Sequence, residues 1–432
     1  MLVSAFLRLT LARYPRVLYT EFLSSKSWLP TNEDLLSNIE TPALLLNYVQ
    51  MQNNSNLMLN LSAKYNLNLR PHVKSLSNRE SALLMTNGHR RRICVSTIAE
   101  AEYFAESGFD DILYAKLVDP SVLHRCAKLA KILHSFHVMV DNKDHIKILS
   151  EHPCVKKSWS VFVKLNCGTN RTGINYDSES LIHIAEMIKQ QNMILAGLYV
   201  YCGDSYEISK EKRAELTKDT ITKLLYAAGS LKQNGFIVPT LSMGSTPALC
   251  EPCDSLFLVN EIHPGSYIVF DEEQFNLGCC QEDDIAIAVA TRVIGNYSEQ
   301  GKIIIDCGFR SFTKQKHKST ETFGRVLQYP FLRLTHLYQE HGIIKSTKSD
   351  TDFSQFPIGK LLFISPWKAN ATALMHKQYY VICDKKVVDV WHRSTYLPQD
   401  YNRPVQSISK MNLIERCKEI AKIENKKDEK EV

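Results

Sequence analysis

Short apolar runs alternate along the chain with longer segments whose apolar positions follow the period of a helix. Runs rich in aliphatic and β-branched residues predict eight strands, at residues 42–46, 69–74, 92–96, 111–115, 136–141, 160–167, 194–202 and 240–245. Helices are predicted between them, near residues 48–65, 77–87, 98–107, 120–133, 143–150, 178–190 and 208–234. Eight such units favour a closed (β/α)8 barrel of the TIM type over an open doubly wound sheet.

The pattern changes after about residue 275, where strands follow one another without long helices. They are predicted at residues 284–294, 302–306, 331–337, 360–364, 379–383 and 387–392. This rhythm indicates a second, mainly β domain. The predicted organisation is an N-terminal extension (1–38), an α/β barrel (39–275), a β-strand domain (276–400) and a charged helical tail (401–432).

Composition narrows the functional classes. Of 432 residues, 44% are hydrophobic and 23% are charged, as in ordinary folded proteins and enzymes. The net charge of +6 is spread along the chain and forms no basic stripe, so no nucleic-acid partner is expected. No apolar run reaches the roughly 20 residues that span a bilayer, so no membrane partner is expected either.

The first 20 residues give the sequence evidence on the cellular compartment. They contain Arg8, Arg13 and Arg16, and no acidic residue precedes Glu21. A cytoplasmic protein is expected, and a mitochondrial targeting segment is the alternative that this basic stretch leaves open.

Two groups of cysteines stand close together in the sequence. Cys250 and Cys253 form a C-x-x-C, and Cys279 and Cys280 are adjacent. A zinc ribbon would require a second C-x-x-C, so reduced thiols without a metal are the favoured interpretation.

In a parallel barrel, functional side chains lie at the carboxyl ends of the strands. The second predicted strand ends with His72 and Lys74, and the sixth leads into a glycine-flanked loop with Arg171. Residues 244–247 form a Gly-Ser-Thr-Pro turn, and residues 263–267 add a second turn with a glycine. An amine, backbone donors for a phosphate and polar groups around a ring are what pyridoxal phosphate requires.

These segments resemble the family of D-serine dehydratases and D-threonine aldolases, pyridoxal phosphate enzymes of fold type III related to the N-terminal barrel of alanine racemase. The matching segments follow one another in family order from residue 41 to about 397. They are Thr41-Pro42-Ala43, Arg70-Pro71-His72-Val73-Lys74, Ala99-Glu100-Ala101-Glu102, residues 168–173, Gly203-Asp204-Ser205-Tyr206, Gly244-Ser245-Thr246-Pro247, His263-Pro264-Gly265 with Tyr267, and Gln339-Glu340-His341-Gly342.

The resemblance implies a role for each matching residue. Lys74 would hold the cofactor through a Schiff base, and Arg171 would lie near its phenolic oxygen. The phosphate cup would comprise Gly244, Ser245, Thr246, Gly265 and Ser266. The remaining expected cofactor contacts are His72, Tyr199, Tyr201 and Tyr267, and the sequence leaves open which of Tyr199 and Tyr201 faces the ring.

One segment departs from the family. Relatives carry zinc in a segment reading Pro-Asn-His-x-Cys or Pro-Asn-His-x-Asp, whereas this chain reads Pro366-Trp367-Lys368-Ala369-Asn370. Lys368 and Asn370 replace both strong ligands, so no metal is expected there. Lys368 and His341 are the predicted catalytic partners of Lys74, and His376 is a further acid or base candidate.

The resemblance implies a pyridoxal phosphate-dependent lyase that acts on a small D-β-hydroxy amino acid through Lys74. Dehydration of D-serine to pyruvate and ammonia and retro-aldol cleavage of the D-threonine type both fit. Two alternatives stay open: a cofactor-binding protein that lost lyase activity with its zinc site, and a racemase-like enzyme. Relatives form homodimers, so the resemblance also implies a homodimer.

Overall fold

The computed structural model of the protein describes residues 28–29, 39–154, 157–317 and 321–394. The strands in these ranges are β1 (Ala43–Asn47), β2 (Asn68–Leu69), β3 (Ile93–Val95), β4 (Asp111–Leu117), β5 (Ser135–Val140), β6 (Ser160–Asn166), β7 (Ile174–Asn175), β8 (Ile194–Tyr201), β9 (Thr240–Gly244), β10 (Glu261–Ile262), β11 (Ile287–Tyr297), β12 (Lys302–Ile305), β13 (Gly324–Val326), β14 (Leu332–Leu337), β15 (Gly342–Ser346), β16 (Leu361–Pro366), β17 (Gln378–Cys383) and β18 (Lys386–His392). The predicted tail 401–432 lies outside the described residues, as does nearly all of the extension 1–38.

The α-helices in the same ranges mostly follow the barrel strands. They are α1 (Tyr48–Lys64), α2 (Arg79–Met85), α3 (Ile98–Glu106), α4 (Leu123–Ile132), α5 (Lys143–Glu151), α6 (Ser180–Gln190), α7 (Arg213–Gln233), α8 (Thr246–Cys250), α9 (Glu272–Asn276) and α10 (Ala369–Ala373). Within the described ranges, every helix is too short or too polar to cross a membrane.

Parallel strands form the first sheet, in the order β2-β10-β9-β8-β6-β5-β4-β3. A parallel bridge between His72 and Cys94 joins the chain beyond β2 to β3 and brings the two ends of this order together. Alternate side chains point inward and form a small apolar cluster that includes Leu113, Met139 and Phe162. The predicted α/β barrel is confirmed.

The second sheet contains the strands that follow residue 286. Six of them close on themselves, because β11 pairs with both β16 and β12, and β15, β14 and β13 complete the ring. β1, β17 and β18 extend this sheet beyond β11. The predicted second, mainly β domain is therefore also confirmed.

The first predicted barrel strand belongs to the other sheet. β1 pairs antiparallel with β11 and parallel with β17, and the barrel takes β10 as its eighth strand instead. β1 is buried along its whole length, so its apolar run is typical of a central strand in either sheet. β10 has only two residues, too few to produce a periodic pattern.

Candidate active site

A cavity of about 930 Å³ opens at the carboxyl ends of the barrel strands. Side chains from the strand ends, the following loops and the β domain meet there. The polar and aromatic lining residues include His72, Lys74, Ser96, Lys116, Lys164, Thr169, Arg171, Tyr199, Tyr201, Tyr206, Ser245, Thr246, His263, Ser266, Asp271, Glu273, Lys368 and Asn370. Most residues that the sequence predicted for the site therefore share one cavity.

Lys74 lies on a single 3-10 turn, Val73–Ser75, that follows β2. The segment after the turn is tied to α3, because the hydroxyl of Ser77 donates a 2.7 Å hydrogen bond to the carboxylate of Glu100. The Lys74 side chain is exposed to the cavity, yet protein surrounds it on most sides. This desolvation, with the charge of Arg171, lowers the pKa of Lys74 and increases the fraction of nucleophilic neutral amine.

A second lysine lies on the wall of the cavity. Lys164 belongs to β6, two residues beyond Phe162 on the same inward face, and is 8% exposed. Burial, with the nearby charge of Arg171, lowers its pKa to about 8. The sequence analysis did not predict a role for Lys164. The only signal for it in the sequence is that a single lysine stands inside an otherwise apolar strand.

Tyr199 and His263 form a flat aromatic surface in the cavity. Their rings stack with centroids 3.8 Å apart and planes 13° apart. Nδ1 of His263 lies 2.9 Å from the hydroxyl of Ser242, whereas its buried Nε2 has no partner. Burial lowers the pKa of His263 and of His72 well below the ordinary histidine value. Both rings are therefore neutral near pH 7.

Both candidate tyrosines of β8 line the cavity, since residues two apart on a strand share a face. Tyr199 is buried beneath His263, and Tyr201 lies nearer the mouth. The guanidinium of Arg171 sits 4.9 Å from the centre of the Tyr201 ring. Arg171 is thus held at the mouth, where it adds positive charge.

The Gly-Ser-Thr turn links β9 to α8. Ser245 caps this helix by accepting a hydrogen bond from the Ala248 amide at 3.2 Å. The Thr246 hydroxyl accepts a 3.1 Å hydrogen bond from the Ser266 amide, which ties the two predicted phosphate-binding turns together. Hydroxyls and amides thus converge on one corner of the cavity, an arrangement suited to an anion.

Two glycines permit the close approach of these turns. A Cβ added to Gly265 would lie 2.5 Å from the carbonyl oxygen of His72. One added to Gly244 would lie 3.0 Å from the amide nitrogen of His263. Gly244 itself does not line the cavity, so its role there is to allow this packing.

A cation and two carboxylates form the opposite wall. The ammonium of Lys368 contacts the carboxylate of Glu273 and lies 5.1 Å from the ring centre of Tyr206. Burial lowers the pKa of Lys368, and the charge of Asp271 opposes that effect. Burial also raises the pKa of Asp271 to about 6. Asn370 turns its amide toward Ser266 and keeps an unpartnered, buried carbonyl oxygen.

Besides Gly244, three predicted candidates do not line the cavity. His341 is exposed in the turn between β14 and β15 and does not line this cavity, so its catalytic role stays a prediction. Tyr267 is buried behind the phosphate-binding corner and does not line the cavity. His376 is buried, and its Nε2 lies 3.0 Å from the carbonyl oxygen of Ser311.

The lining residues fit pyridoxal phosphate. The cavity has the volume of a cofactor site, Lys74 offers an amine for the aldehyde, and the turn at Ser245 offers donors for the phosphate. Buried atoms without partners, namely Nδ1 of His72 and Nε2 of His263, remain for a ligand to satisfy.

A zinc ion does not fit the segment where the family holds one. The residues there are Lys368 and Asn370, and an ammonium that already contacts a carboxylate cannot act as a ligand. Among the described residues, no three His, Cys, Asp or Glu side chains are grouped as metal ligands would be.

Sequence and structure comparisons agree with this architecture. Residues 46–273 match the model of the alanine racemase N-terminal domain, and residues 286–382 match that of the serine dehydratase domain. A D-serine dehydratase of Dictyostelium discoideum is 30% identical over 81% of this chain and 95% of its own length. A D-threonine aldolase of Arthrobacter is 25% identical over 84% of this chain and 94% of its own length.

Solved structures show the same arrangement. The D-threo-3-hydroxyaspartate dehydratase from Delftia sp. HT23 is 28% identical and superposes with a TM-score of 0.79, over 83% of this chain and 98% of that one. An alanine racemase of Clostridium difficile 630, 13% identical, has a TM-score of 0.59 over 82% of this chain and 98% of that one. The latter likeness concerns the fold alone.

Proposed function

The chain belongs to the family that joins an alanine racemase N-terminal domain to a serine dehydratase domain, and we propose that it is a lyase dehydrating a small D-β-hydroxy amino acid. The family is one of pyridoxal phosphate enzymes, and zinc is often bound in it. Relatives bearing the names of D-serine and D-threo-3-hydroxyaspartate dehydratases support the substrate class. The observation that carries the proposal is that two amines of lowered pKa, Lys74 and Lys368, line one cavity.

The chain's own residues would hold pyridoxal phosphate in defined places. Lys74 would bond to it, the turns at Ser245 and Ser266 would bind its phosphate, and the stacked rings of Tyr199 and His263 would lie against its ring. When bound, pyridoxal phosphate supplies an electron sink that acidifies the α-proton of an amino acid. Nζ of Lys74, neutral in a larger fraction than an ordinary lysine, is suited to accept that proton.

Lys368 favours dehydration over aldol cleavage. Hydroxide leaves the β-carbon only if an acid protonates it, whereas aldol cleavage requires a base that removes the proton of the β-hydroxyl. An ammonium beside Glu273 is a proton donor, and its lowered pKa makes it a stronger one. Lys368 would therefore supply at Nζ the assistance that relatives obtain from zinc.

Product analysis tests the reaction. Purified protein supplied with pyridoxal phosphate and treated with a chelator should convert D-serine to pyruvate and ammonia, and D-threonine to 2-oxobutyrate. Acetaldehyde and glycine from D-threonine would identify an aldolase instead. Restoration of activity only by added zinc would refute the role given to Lys368, and no turnover under either condition would refute the lyase.

Two sets of variants separate cofactor binding from elimination. Lys74→Ala should lose the visible absorption band of bound pyridoxal phosphate, whereas Lys116→Ala, which removes an exposed lysine of the same cavity, should retain it. Lys368→Met should keep that band and exchange of the substrate α-proton with deuterium, yet lose elimination by about 10²- to 10³-fold. Lys368→Arg keeps the charge but is a far weaker acid, so its recovery of activity would contradict proton donation.

The proposal also covers the oligomeric state and the cellular compartment of the protein. Family membership supports a homodimer and a small D-amino acid as the ligand, and the cytoplasm, with mitochondria as the alternative, remains the proposed compartment. Light scattering of the purified protein tests the dimer, and a fluorescent fusion of the full chain tests the compartment.

A further inference from the structure

Two cysteines that are distant in the sequence meet behind the cavity. Cys250 ends α8, and Cys279 lies three residues beyond the end of α9. Their thiols lie close enough to influence each other's pKa, and both residues are only partly buried. The sequence had instead associated Cys250 with Cys253 and Cys279 with Cys280, so this pair is a product of the tertiary fold.

Cys279 differs electrostatically from the other described cysteines. The neighbouring Cys250 thiol, followed by the charge of Arg213, lowers the pKa of Cys279. The guanidinium nitrogen Nη1 of Arg213 lies 3.5 Å from the Cys279 sulfur. Burial raises the pKa of buried cysteines elsewhere in the described chain, such as Cys94 and Cys307. Cys279 therefore carries thiolate character, with a second thiol in contact.

We propose that Cys250 and Cys279 form a redox-active dithiol, which a peroxide oxidises to an intramolecular disulfide. The Cys279 thiolate attacks one oxygen of hydrogen peroxide, forming a sulfenic acid, and the other oxygen leaves as hydroxide, which is protonated to water. The Cys250 sulfur then attacks the sulfenic sulfur, forming the S–S bond and releasing a second water. Two thiols lose two electrons in total, and the peroxide gains them.

The position of the pair connects it with the cavity. Cys250 ends α8 and Cys279 follows α9, and the N-terminal capping residues of these two short helices, Ser245 and Asp271, line the cavity. The buried Arg213 contacts Cys279 and also donates a 3.2 Å hydrogen bond to the carbonyl of Ser205. The Ser205 hydroxyl lies 2.7 Å from that of Ser245, in the phosphate-binding corner.

Peptide mapping under non-reducing conditions tests the proposal directly. The full-length protein, with and without pyridoxal phosphate, is treated with hydrogen peroxide in stoichiometric steps, and remaining thiols are alkylated. A Glu-specific protease cuts after Glu261 and Glu273 but not before Pro252, so Cys250 and Cys253 stay in one peptide. Fragment ions from cleavage of the Glu251–Pro252 bond in the mass spectrometer then distinguish the two sulfurs. The expected product is a cross-linked pair of peptides joining Cys250 to Cys279, with the loss of two titratable thiols and recovery of both on reduction.

Variants assign the two sulfurs. Cys253→Ser should retain the cross-link, and Cys279→Ser should abolish it. A bond from Cys250 to Cys253, a cross-link that survives in Cys279→Ser, or oxidation of Cys279 to sulfinic acid without a cross-link would each overturn the proposal. Peptide mapping of the wild-type protein gives a result even if a variant does not fold. The disulfide is detected whether or not the protein is a lyase, so the two proposals are tested separately.

Discussion

Replacement of Lys164 by methionine should stabilise the protein without its cofactor. Lys164 is 8% exposed on the wall of the cavity. Among the described residues, no carboxylate forms an ion pair with its ammonium. Methionine retains an unbranched apolar stem of similar length and removes the ammonium. The substitution therefore tests the cost of the buried charge with little change in packing.

The size of the effect follows from the pKa of Lys164, which burial lowers from 10.5 to about 8. The difference of about 2.5 pKa units corresponds to about 3 kcal/mol, at 1.36 kcal/mol for each. The unfolded chain binds the proton up to about pH 10.5, and the folded chain releases it near pH 8, so wild-type stability rises with pH between these values. Lys164→Met should thus be more stable by up to about 3 kcal/mol near pH 7, and the advantage should disappear above about pH 10.5.

Urea unfolding of both proteins without pyridoxal phosphate, at about pH 7 and about pH 10, measures this difference. Lys116→Met is the matched control, because Lys116 lines the same cavity but is exposed, and its change should stay within about 0.5 kcal/mol. Equal stability of wild type and Lys164→Met at pH 7, or an advantage that grows with pH, would refute the account of Lys164 as a costly buried cation.

Three further substitutions test the framework of the site. Arg70→Met leaves the two carboxylates of its buried ion pairs, at 2.7 and 2.9 Å, without a cation, so urea unfolding should show a loss of about 3–5 kcal/mol; a neutral result would contradict this. Gly265→Ala places a methyl group 2.5 Å from the carbonyl of His72, so the Kd for pyridoxal phosphate should rise at least about tenfold, and unchanged affinity would contradict the packing argument. Gly229→Ala, on the exposed face of α7 with no neighbour within 4 Å, should leave that Kd unchanged and stabilise the protein by up to about 1 kcal/mol.

The repeated alternation of apolar runs and amphipathic segments predicted the architecture well, because strands buried on both faces need apolar side chains throughout. The same reasoning assigned β1 to the wrong sheet. An apolar run records that a strand is buried but not which strands lie beside it, and the pairing of β1 with β11 joins residues more than 240 positions apart. β10 was missed because two residues cannot show a period.

Residues of the candidate site were predictable where they lie in short motifs. Lys74 and the turn at Ser245 stand beside glycines, prolines or hydroxyl residues whose conformations restrict the local chain. His341 also lies in a matching motif, yet it is exposed on a hairpin and does not line the cavity. Lys164 and Asp271 lie in no such motif, and only the closed barrel brings them to the cavity wall.

The sequence by itself determined the barrel and the second β domain, and its motifs predicted an amine and two turns that the structure brings to one cavity. It also places Lys368 and Asn370 at the positions where the resemblance predicts zinc ligands. The tertiary structure alone decided that Lys368 meets Glu273, that Lys164 is buried, and that Cys250 meets Cys279. Periodicity and motifs reflect interactions among near neighbours in the chain. Charge pairing, desolvation and thiol contact depend on distances between remote segments, which are set only when the sheets close and the helices pack.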